Sequence, residues 1–306
     1  MESEVNTKSD SSTIRVGGHV SISGGLAQAV QRAADIGGSC MQIFSGSPRS
    51  WQRKSLSEYQ PGKMFAKQKE LSVGSVFTHA VYLINLASNN EELVAKSVQS
   101  LVYDLKFDHL VKGSGVVVHL GSHQGRGWES SRDQLVGAIN SVLDQTPESS
   151  QFLIENSAGQ AGKIASDLEE VRWLLDQVDS ERLGWCFDTC HGFGAGYALT
   201  EASDQSDLSA KQLKKGRGPV LAEIDQLQLW PSLKCIHVND SLAEFASGND
   251  RHANIGDGLI PQSDMKVFLN HDRVKQRPLI TEVPGLDGSG PDLANVNCIK
   301  QLINRD

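Results

Sequence analysis

The sequence predicts a single (β/α)8 barrel, in which eight parallel strands alternate with helices. Eight short β-rich runs recur at spacings of roughly 25 to 50 residues, enough for a strand, a helix and two loops per unit. Six consecutive runs carry His, Asp or Glu at their ends or within two residues of them. The predicted strands are residues 14–20, 40–44, 73–79, 115–119, 152–156, 183–188, 235–239 and 278–282.

Helical patterns lie between the runs. Residues 26–36, 91–111, 135–143 and 168–175 place apolar side chains at helical spacing. Gly24-Gly25 and Gly37-Gly38 are start and stop signals for the first of them. Strands that alternate with helices predict a parallel sheet, and eight such units predict its closure into a barrel.

Composition limits the class of protein. The chain has 306 residues, 39% of them hydrophobic, and a net charge of −8, which argues against broad non-specific DNA binding. No apolar stretch is long enough to span a membrane. Five cysteines, an odd and scattered set, indicate a reducing cytoplasm, and Cys186 and Cys190 are interpreted as small buried hydrophobes instead of half a zinc site. We expect residues 1–13 to be a disordered polar tail without a secretory signal, and residues 14–306 to form one domain.

The residues at the strand ends carry the chemistry. In a parallel barrel the carboxyl ends of the strands meet at one rim, where active sites form. A lone His there is usually a satisfied core or surface residue, and a lone acid often caps a helix. Several acids and imidazoles that converge without a metal would repel one another or stay desolvated at high cost. The six residues at or near the strand ends are His79, His119, Glu155, Asp188, His237 and Glu282.

Three further residues extend this set. His191 follows Asp188 by one helical turn, and Asp250 and His252 are two apart, so in an extended loop they face the same way. Together they form an Asp/His/His set of the N and O ligands that zinc favours.

A series of motifs runs from about Arg15 to about Leu302 in a fixed order. They are Gly18-His19-Val20-Ser21, Tyr82-Leu83-Ile84-Asn85-Leu86, His119-Leu120-Gly121-Ser122-His123, Ile154-Glu155-Asn156, Phe187-Asp188-Thr189-Cys190-His191, His237-Val238-Asn239-Asp240-Ser241, Asp250-Arg251-His252 and Glu282-Val283-Pro284-Gly285. In these motifs the chain resembles the endonuclease IV family, zinc-dependent endonucleases that cut duplex DNA at abasic sites.

The resemblance implies three Zn²⁺ per chain, with Mn²⁺ as a partial substitute. His79, His119 and Glu155 would hold the first, Glu155, Asp188, His237 and Glu282 the second, and His191, Asp250 and His252 the third. Glu155 and Glu282 are the catalytic candidates by this resemblance. It also implies cleavage 5′ to the abasic site in base excision repair, leaving a 3′-hydroxyl and a 5′-deoxyribose phosphate, with 3′-phosphodiesterase activity in addition.

Recognition of the lesion is expected from loops at the same rim. By resemblance, Arg49, Tyr82 and Leu83 enter the duplex, while Trp51 and Leu83 could instead be packing residues. The basic cluster of Lys211, Lys214, Lys215 and Arg217 is interpreted as a solvated face, with a phosphate-contacting edge as the alternative. We expect a monomer in the cytoplasm, without an organic cofactor or a membrane partner.

Two other functions fit parts of the pattern. A sugar isomerase or epimerase with one divalent metal would use the subset Glu155, Asp188, His237 and Glu282. Such an enzyme does not need His79, His119, His191 or the Asp250–His252 pair. A catalytically silent DNA-binding protein is the third hypothesis, and retention of all nine implied ligands argues against it.

Overall fold

The computed structural model describes residues 14–201 and 216–303. The predicted tail, residues 1–13, lies outside this part of the chain, as do Lys211, Lys214 and Lys215 of the basic cluster. The fourth member, Arg217, forms an ion pair with Asp167.

Eight parallel strands close into a barrel, which confirms the predicted fold. Two strands have the predicted bounds. Five others start up to three residues later, end one residue earlier, or both, and the seventh lies two residues earlier in the chain. The first strand closes the barrel by pairing with the eighth, Val16 opposite Leu279. The strands are β1 (Val16–His19), β2 (Cys40–Phe44), β3 (Val76–His79), β4 (Val116–Val118), β5 (Phe152–Glu155), β6 (Leu183–Asp188), β7 (Leu233–His237) and β8 (Leu279–Thr281).

Helices surround the barrel, and none in the described part of the chain is both long and apolar enough to cross a membrane. The first helix begins after Gly25 and ends before Gly37, whose φ values are 102° and 76°, so the two glycine signals are confirmed. The helices are α1 (Leu26–Asp35), α2 (Pro61–Leu71), α3 (Glu91–Leu110), α4 (Arg132–Asp144), α5 (Leu168–Val178), α6 (Thr189–Ala195), α7 (Val220–Gln226), α8 (Gln262–Leu269), α9 (Asp272–Lys275) and α10 (Leu293–Leu302).

The inside of the barrel is filled by one layer of buried apolar side chains, with a larger core between strands and helices. Because side chains alternate across a strand, the residue two positions further along each strand also faces inward, one layer nearer the carboxyl ends. The apolar layer consists of Cys40, Phe77, Val117, Leu153, Cys186, Cys235 and Ile280.

Helix α3 buries two acidic side chains against the barrel, Asp104 and Asp108. Thr78 Oγ1 donates a hydrogen bond of 2.8 Å to Asp108 Oδ1, and burial raises the pKa of Asp108 to about 7. The folded chain therefore holds this proton more tightly than the unfolded chain. It follows that ionisation of Asp108 costs stability as the pH rises from about 4 to about 7.

We expect Asp108→Asn to flatten this pH dependence. Relative to the variant, the wild-type chain should lose at most about 4 kcal/mol of unfolding free energy between about pH 4 and about pH 7. Urea unfolding at several pH values and fixed metal content measures the difference in slope. Asp176→Asn, which removes an exposed carboxylate on α5, is the control. Parallel curves for wild type and Asp108→Asn would contradict the expected protonation.

Candidate metal centre and active site

A ring of polar side chains covers the apolar layer inside the barrel. Seven of its members lie two residues after a member of that layer, and His19 lies two residues after Gly17 of β1, so the alternation of the strands alone places them inward. Six of the eight were singled out from the sequence, and two, His19 and Gln42, were not. The ring consists of His19, Gln42, His79, His119, Glu155, Asp188, His237 and Glu282.

The first group is His79, His119 and Glu155, from the ends of β3, β4 and β5. The Nε2 atoms of His79 and His119 lie 3.2 and 3.1 Å from Glu155 Oε2. Glu155 is completely buried, so no solvent competes for this oxygen.

The second group is Glu155, Asp188, His237 and Glu282. His237 Nδ1 lies 3.0 Å from Glu155 Oε1, 3.2 Å from Glu282 Oε2 and 3.8 Å from Asp188 Oδ2. The two oxygens of Glu155 thus face different groups, which is the arrangement of a bridging carboxylate.

The third group is His191, Asp250 and His252. Asp188 caps α6 by accepting a hydrogen bond of 2.9 Å from the His191 amide, and this cap directs the helix carrying His191 into the site. Asp250 Oδ2 lies 3.1 Å from His191 Nε2, and its Oδ1 lies 3.3 Å from His252 Nε2. His252 stands on a two-stranded ribbon in which Ser241 pairs with it.

Main-chain carbonyls fix the protonation of three imidazoles. The Nδ1 atoms of His79, His191 and His252 lie 2.7, 3.1 and 3.5 Å from the carbonyl oxygens of Ala80, Asn156 and Glu282, respectively. A carbonyl only accepts, so each Nδ1 carries hydrogen, and in the neutral imidazole the lone pair lies on Nε2, the atom that faces the carboxylates. Lone pairs and carboxylates that face one another repel unless a proton or a metal cation lies between them.

Three of the four carboxylates, Glu155, Asp250 and Glu282, are held ionised, whereas burial raises the pKa of the fourth, Asp188. Burial opposes ionisation of Glu155, but the imidazoles of His119 and His237 outweigh it and hold the pKa of Glu155 well below its usual range. Asp250 behaves in the same way beside His191. Burial lowers the pKa of His119 to about 4, so this imidazole is neutral at neutral pH and available as a ligand.

Unpartnered atoms complete the test for a metal. Within the described residues, His119 Nδ1 and His252 Nε2 are buried and have no hydrogen-bond partner. Imidazole nitrogens with carboxylate oxygens are a donor set that suits zinc. The residues therefore fit the implied ions.

The five cysteines are free, as expected for a reducing environment, and all lie in described positions. Cys186 and Cys190 are both buried, which agrees with their interpretation as small hydrophobes. Cys186 with Cys235 and His237, and Cys190 with Asp188 and His252, are also close enough to share a metal. Burial raises the pKa of the Cys186 and Cys190 thiols, which disfavours the thiolate that a metal needs.

The predicted recognition residues stand at the same rim. Arg49 is exposed after β2, and Tyr82, after β3, is 57% exposed with its ring edge-on to Phe44 at 5.4 Å. The Tyr82 amide donates a hydrogen bond of 3.0 Å to the Pro48 carbonyl, which ties the two loops together. Leu83 and Trp51 are partly buried and pack against the main core.

His19 and Gln42 are the site residues that the sequence analysis missed. His19 Nδ1 and Gln42 Nε2 lie 3.0 and 2.6 Å from Glu282 Oε1. Strand alternation could have identified both, because each follows an inward strand position by two residues. They were missed because the predicted first strand extends beyond His19 to Val20, and because Gln42 lies in the middle of β2.

The chain is similar to known proteins in both sequence and fold. A family model described as a xylose isomerase-like TIM barrel matches residues 30–299. A protein named probable endonuclease 4 from Halothermothrix orenii is 37% identical over 289 residues, covering 94% of this chain and 100% of that protein. The crystal structure of endonuclease IV from Thermus thermophilus is similar with a TM-score of 0.77 and 31% identity, covering 94% of this chain and 98% of that one. A 3-keto-D-glucoside 4-epimerase from E. coli shares the fold at a TM-score of 0.65 and 11% identity, covering 95% and 99%.

Proposed function

Because this chain belongs to the endonuclease IV family, we propose that it is a zinc-dependent endonuclease that cuts duplex DNA at abasic sites. The observation that carries the proposal is the division of the rim residues into three metal-capable groups, two of which share Glu155. These groups coincide with the ligand sets that the family resemblance implies.

In this proposal His79, His119 and Glu155 hold one Zn²⁺, and Glu155, Asp188, His237 and Glu282 hold a second. His191, Asp250 and His252 hold the third. When bound, the ions lower the pKa of water and neutralise the phosphate oxygens, contributions that a single general base cannot match.

The proposed reaction is hydrolysis of the phosphodiester 5′ to the lesion. A water oxygen forms the new bond to phosphorus, the bond from phosphorus to the 3′-oxygen breaks, and that oxygen takes up a proton. The products are a 3′-hydroxyl and a 5′-deoxyribose phosphate, as base excision repair requires. Glu155 and Glu282 are the catalytic residues of this proposal. Glu155 belongs to two groups, and the side chain of Glu282 is partly exposed at the rim, at 14%.

The epimerase alternative has less support. The epimerase structure is only 11% identical, so it bears on the fold alone. A single-metal enzyme would leave His79, His119 and the third group without a purpose, although these residues are buried or half-buried around carboxylates. The proposal further takes the protein to be a cytoplasmic monomer that uses no organic cofactor and also removes 3′-blocking groups.

We predict that Arg49→Ala and Tyr82→Ala weaken binding to a duplex with one abasic analogue by about tenfold, while binding to the intact duplex changes little. Both side chains are exposed, contact no member of the three groups by hydrogen bond, and lie on loops joined through Pro48. Metal content should stay unchanged. Lys96→Ala on α3, which removes an exposed positive charge that pairs with Glu92, is the control.

Equal losses on lesion and intact duplexes would contradict this role for Arg49 and Tyr82, because they would then hold phosphate without reading the lesion. Leu83→Ala separates the two interpretations of that residue. A loss confined to the lesion duplex supports insertion, and a fall in melting temperature alone supports packing.

The function itself is tested with a duplex that carries one abasic analogue, labelled at both ends of the lesion strand. We expect a single cut, a 3′-hydroxyl extendable by a polymerase, and no cut with chelator present. The matched intact duplex is the control. Equal cutting of both duplexes, or a 3′-phosphate product, would contradict the proposal.

A further inference from the structure

Gln42 contacts two residues of the second group, Glu282 and His237. Its Nε2 lies 2.6 Å from Glu282 Oε1, and its Oε1 lies 2.9 Å from His237 Nε2. Gln42 is completely buried on β2, a strand that supplies none of the nine implied ligands. Burial on a barrel strand therefore restricts the position of its side-chain amide.

The orientation of this amide follows from the chemistry of its neighbours. The Glu282 carboxylate only accepts hydrogen bonds here, so the NH2 of Gln42 must face it. The carbonyl of Gln42 then faces His237 Nε2, which must carry hydrogen. The lone pair of His237 is thereby left on Nδ1, the atom that lies 3.0 and 3.2 Å from Glu155 and Glu282.

His237 differs in this respect from His79, His191 and His252. Main-chain carbonyls fix those three imidazoles, and no side-chain substitution removes such a partner. The outer nitrogen of His237 depends on a side chain instead. His19 supports the same arrangement, because its Nδ1 lies 3.0 Å from the Glu282 oxygen that Gln42 contacts.

We propose that Gln42 is a positioning residue for the second group, which sets the tautomer of His237 and the orientation of Glu282 and so determines how tightly one metal ion is held. The inference rests on the proposed function, because it assumes that the second group binds a metal. Partners of this kind typically change metal affinity by about 10- to 100-fold when they are removed.

The test is zinc affinity, measured without DNA. The zinc-loaded protein is titrated with a chromophoric chelator, and the wild type is compared with Gln42→Met, which preserves volume but makes neither hydrogen bond. We expect one of the ions to be held about 10- to 100-fold more weakly and the others to be unchanged. Gln134→Met, which removes a glutamine that donates to the Leu86 and Ser88 carbonyls, is the control and should leave every affinity unchanged.

Gln42→Glu separates the two halves of the proposal. Its carboxylate still accepts from His237 but faces the Glu282 carboxylate, so we expect it to weaken the same ion. Wild-type affinity in Gln42→Glu would show that the donor to Glu282 is irrelevant and would overturn that half. Thermal melting of the zinc-free proteins verifies that all variants fold alike.

A kinetic readout distinguishes positioning from general loss of structure. In the cleavage assay at limiting zinc, Gln42→Met should lower kcat and leave KM for the lesion duplex within about twofold, and excess zinc should restore part of kcat. Unchanged zinc affinities in Gln42→Met would overturn the inference while the proposed function stands. A wild-type protein that binds no zinc would instead remove the proposed function.

Discussion

Glu155→Gln is expected to lower single-turnover cleavage of lesion DNA by at least about 10³-fold, the scale of removing a principal electrostatic element. One oxygen of Glu155 faces the first group at 3.1 and 3.2 Å, and the other faces His237 at 3.0 Å. An amide keeps the shape but removes the charge, and one of its two ends becomes a donor. One of the two groups therefore loses its oxygen ligand, and both lose the negative charge that they share.

His252→Ala is the matched comparison, since it also removes an implied ligand but from the third group alone. The side chain of His252 is partly exposed at the rim, at 19%, so a water molecule can take the place of the lost imidazole nitrogen. We expect a smaller loss, partly restored by excess zinc. Near-normal cleavage by Glu155→Gln with its full metal content would contradict the bridging role.

Removal of the metals is the second large effect. A ligand present at about a thousandfold over its Kd stabilises the folded state by about 4 kcal/mol. Three such ions contribute on the order of 10 kcal/mol. A change of about 1 kcal/mol shifts the Tm of a large domain by about 2 °C, so chelation should lower Tm by roughly 20 °C. Differential scanning calorimetry of the protein before and after dialysis against chelator measures this shift.

The control for this measurement is zinc added back to the dialysed protein, which should restore the original Tm. Glu155→Gln should show a smaller shift on chelation, because it starts with weaker metal sites. A wild-type Tm that changes by less than about 3 °C would mean that the rim residues are satisfied without a cation.

Much of the fold was predictable because its signals are local. Residues 40–44 are apolar except for Gln42, residues 183–188 are apolar except for the terminal Asp188, and both runs became strands, β2 and β6, with those bounds. The apolar face of α1 was visible as Leu26, Ala29, Val30 and Ala33. In the site, the end of each strand from β3 to β8 marks a rim residue, because strand periodicity and chain direction are enough to place it.

The remaining features depend on contacts across the barrel. Gln42 lies within a strand, and nothing in the sequence distinguishes it from other strand residues. Its role becomes visible only when the fold brings Glu282 and His237 beside it. Helix α6 contains two glycines and has weak intrinsic propensity, and it forms because Asp188 caps it. In the ribbon that carries His252, residues His252–Ala253 pair with Asp240–Ser241. Neither of these short segments shows a strand pattern in the sequence.

Zinc titration of the metal-free protein, assayed by cleavage of a duplex with one abasic analogue, tests the central claim most directly. Each addition of zinc is followed by both bound metal and cutting rate on the same sample. The account predicts that cutting rises until about three equivalents are bound and then stays constant, because the nine implied ligands form three groups that could each hold an ion. Full cutting with one equivalent, or cutting that does not depend on zinc, would contradict it.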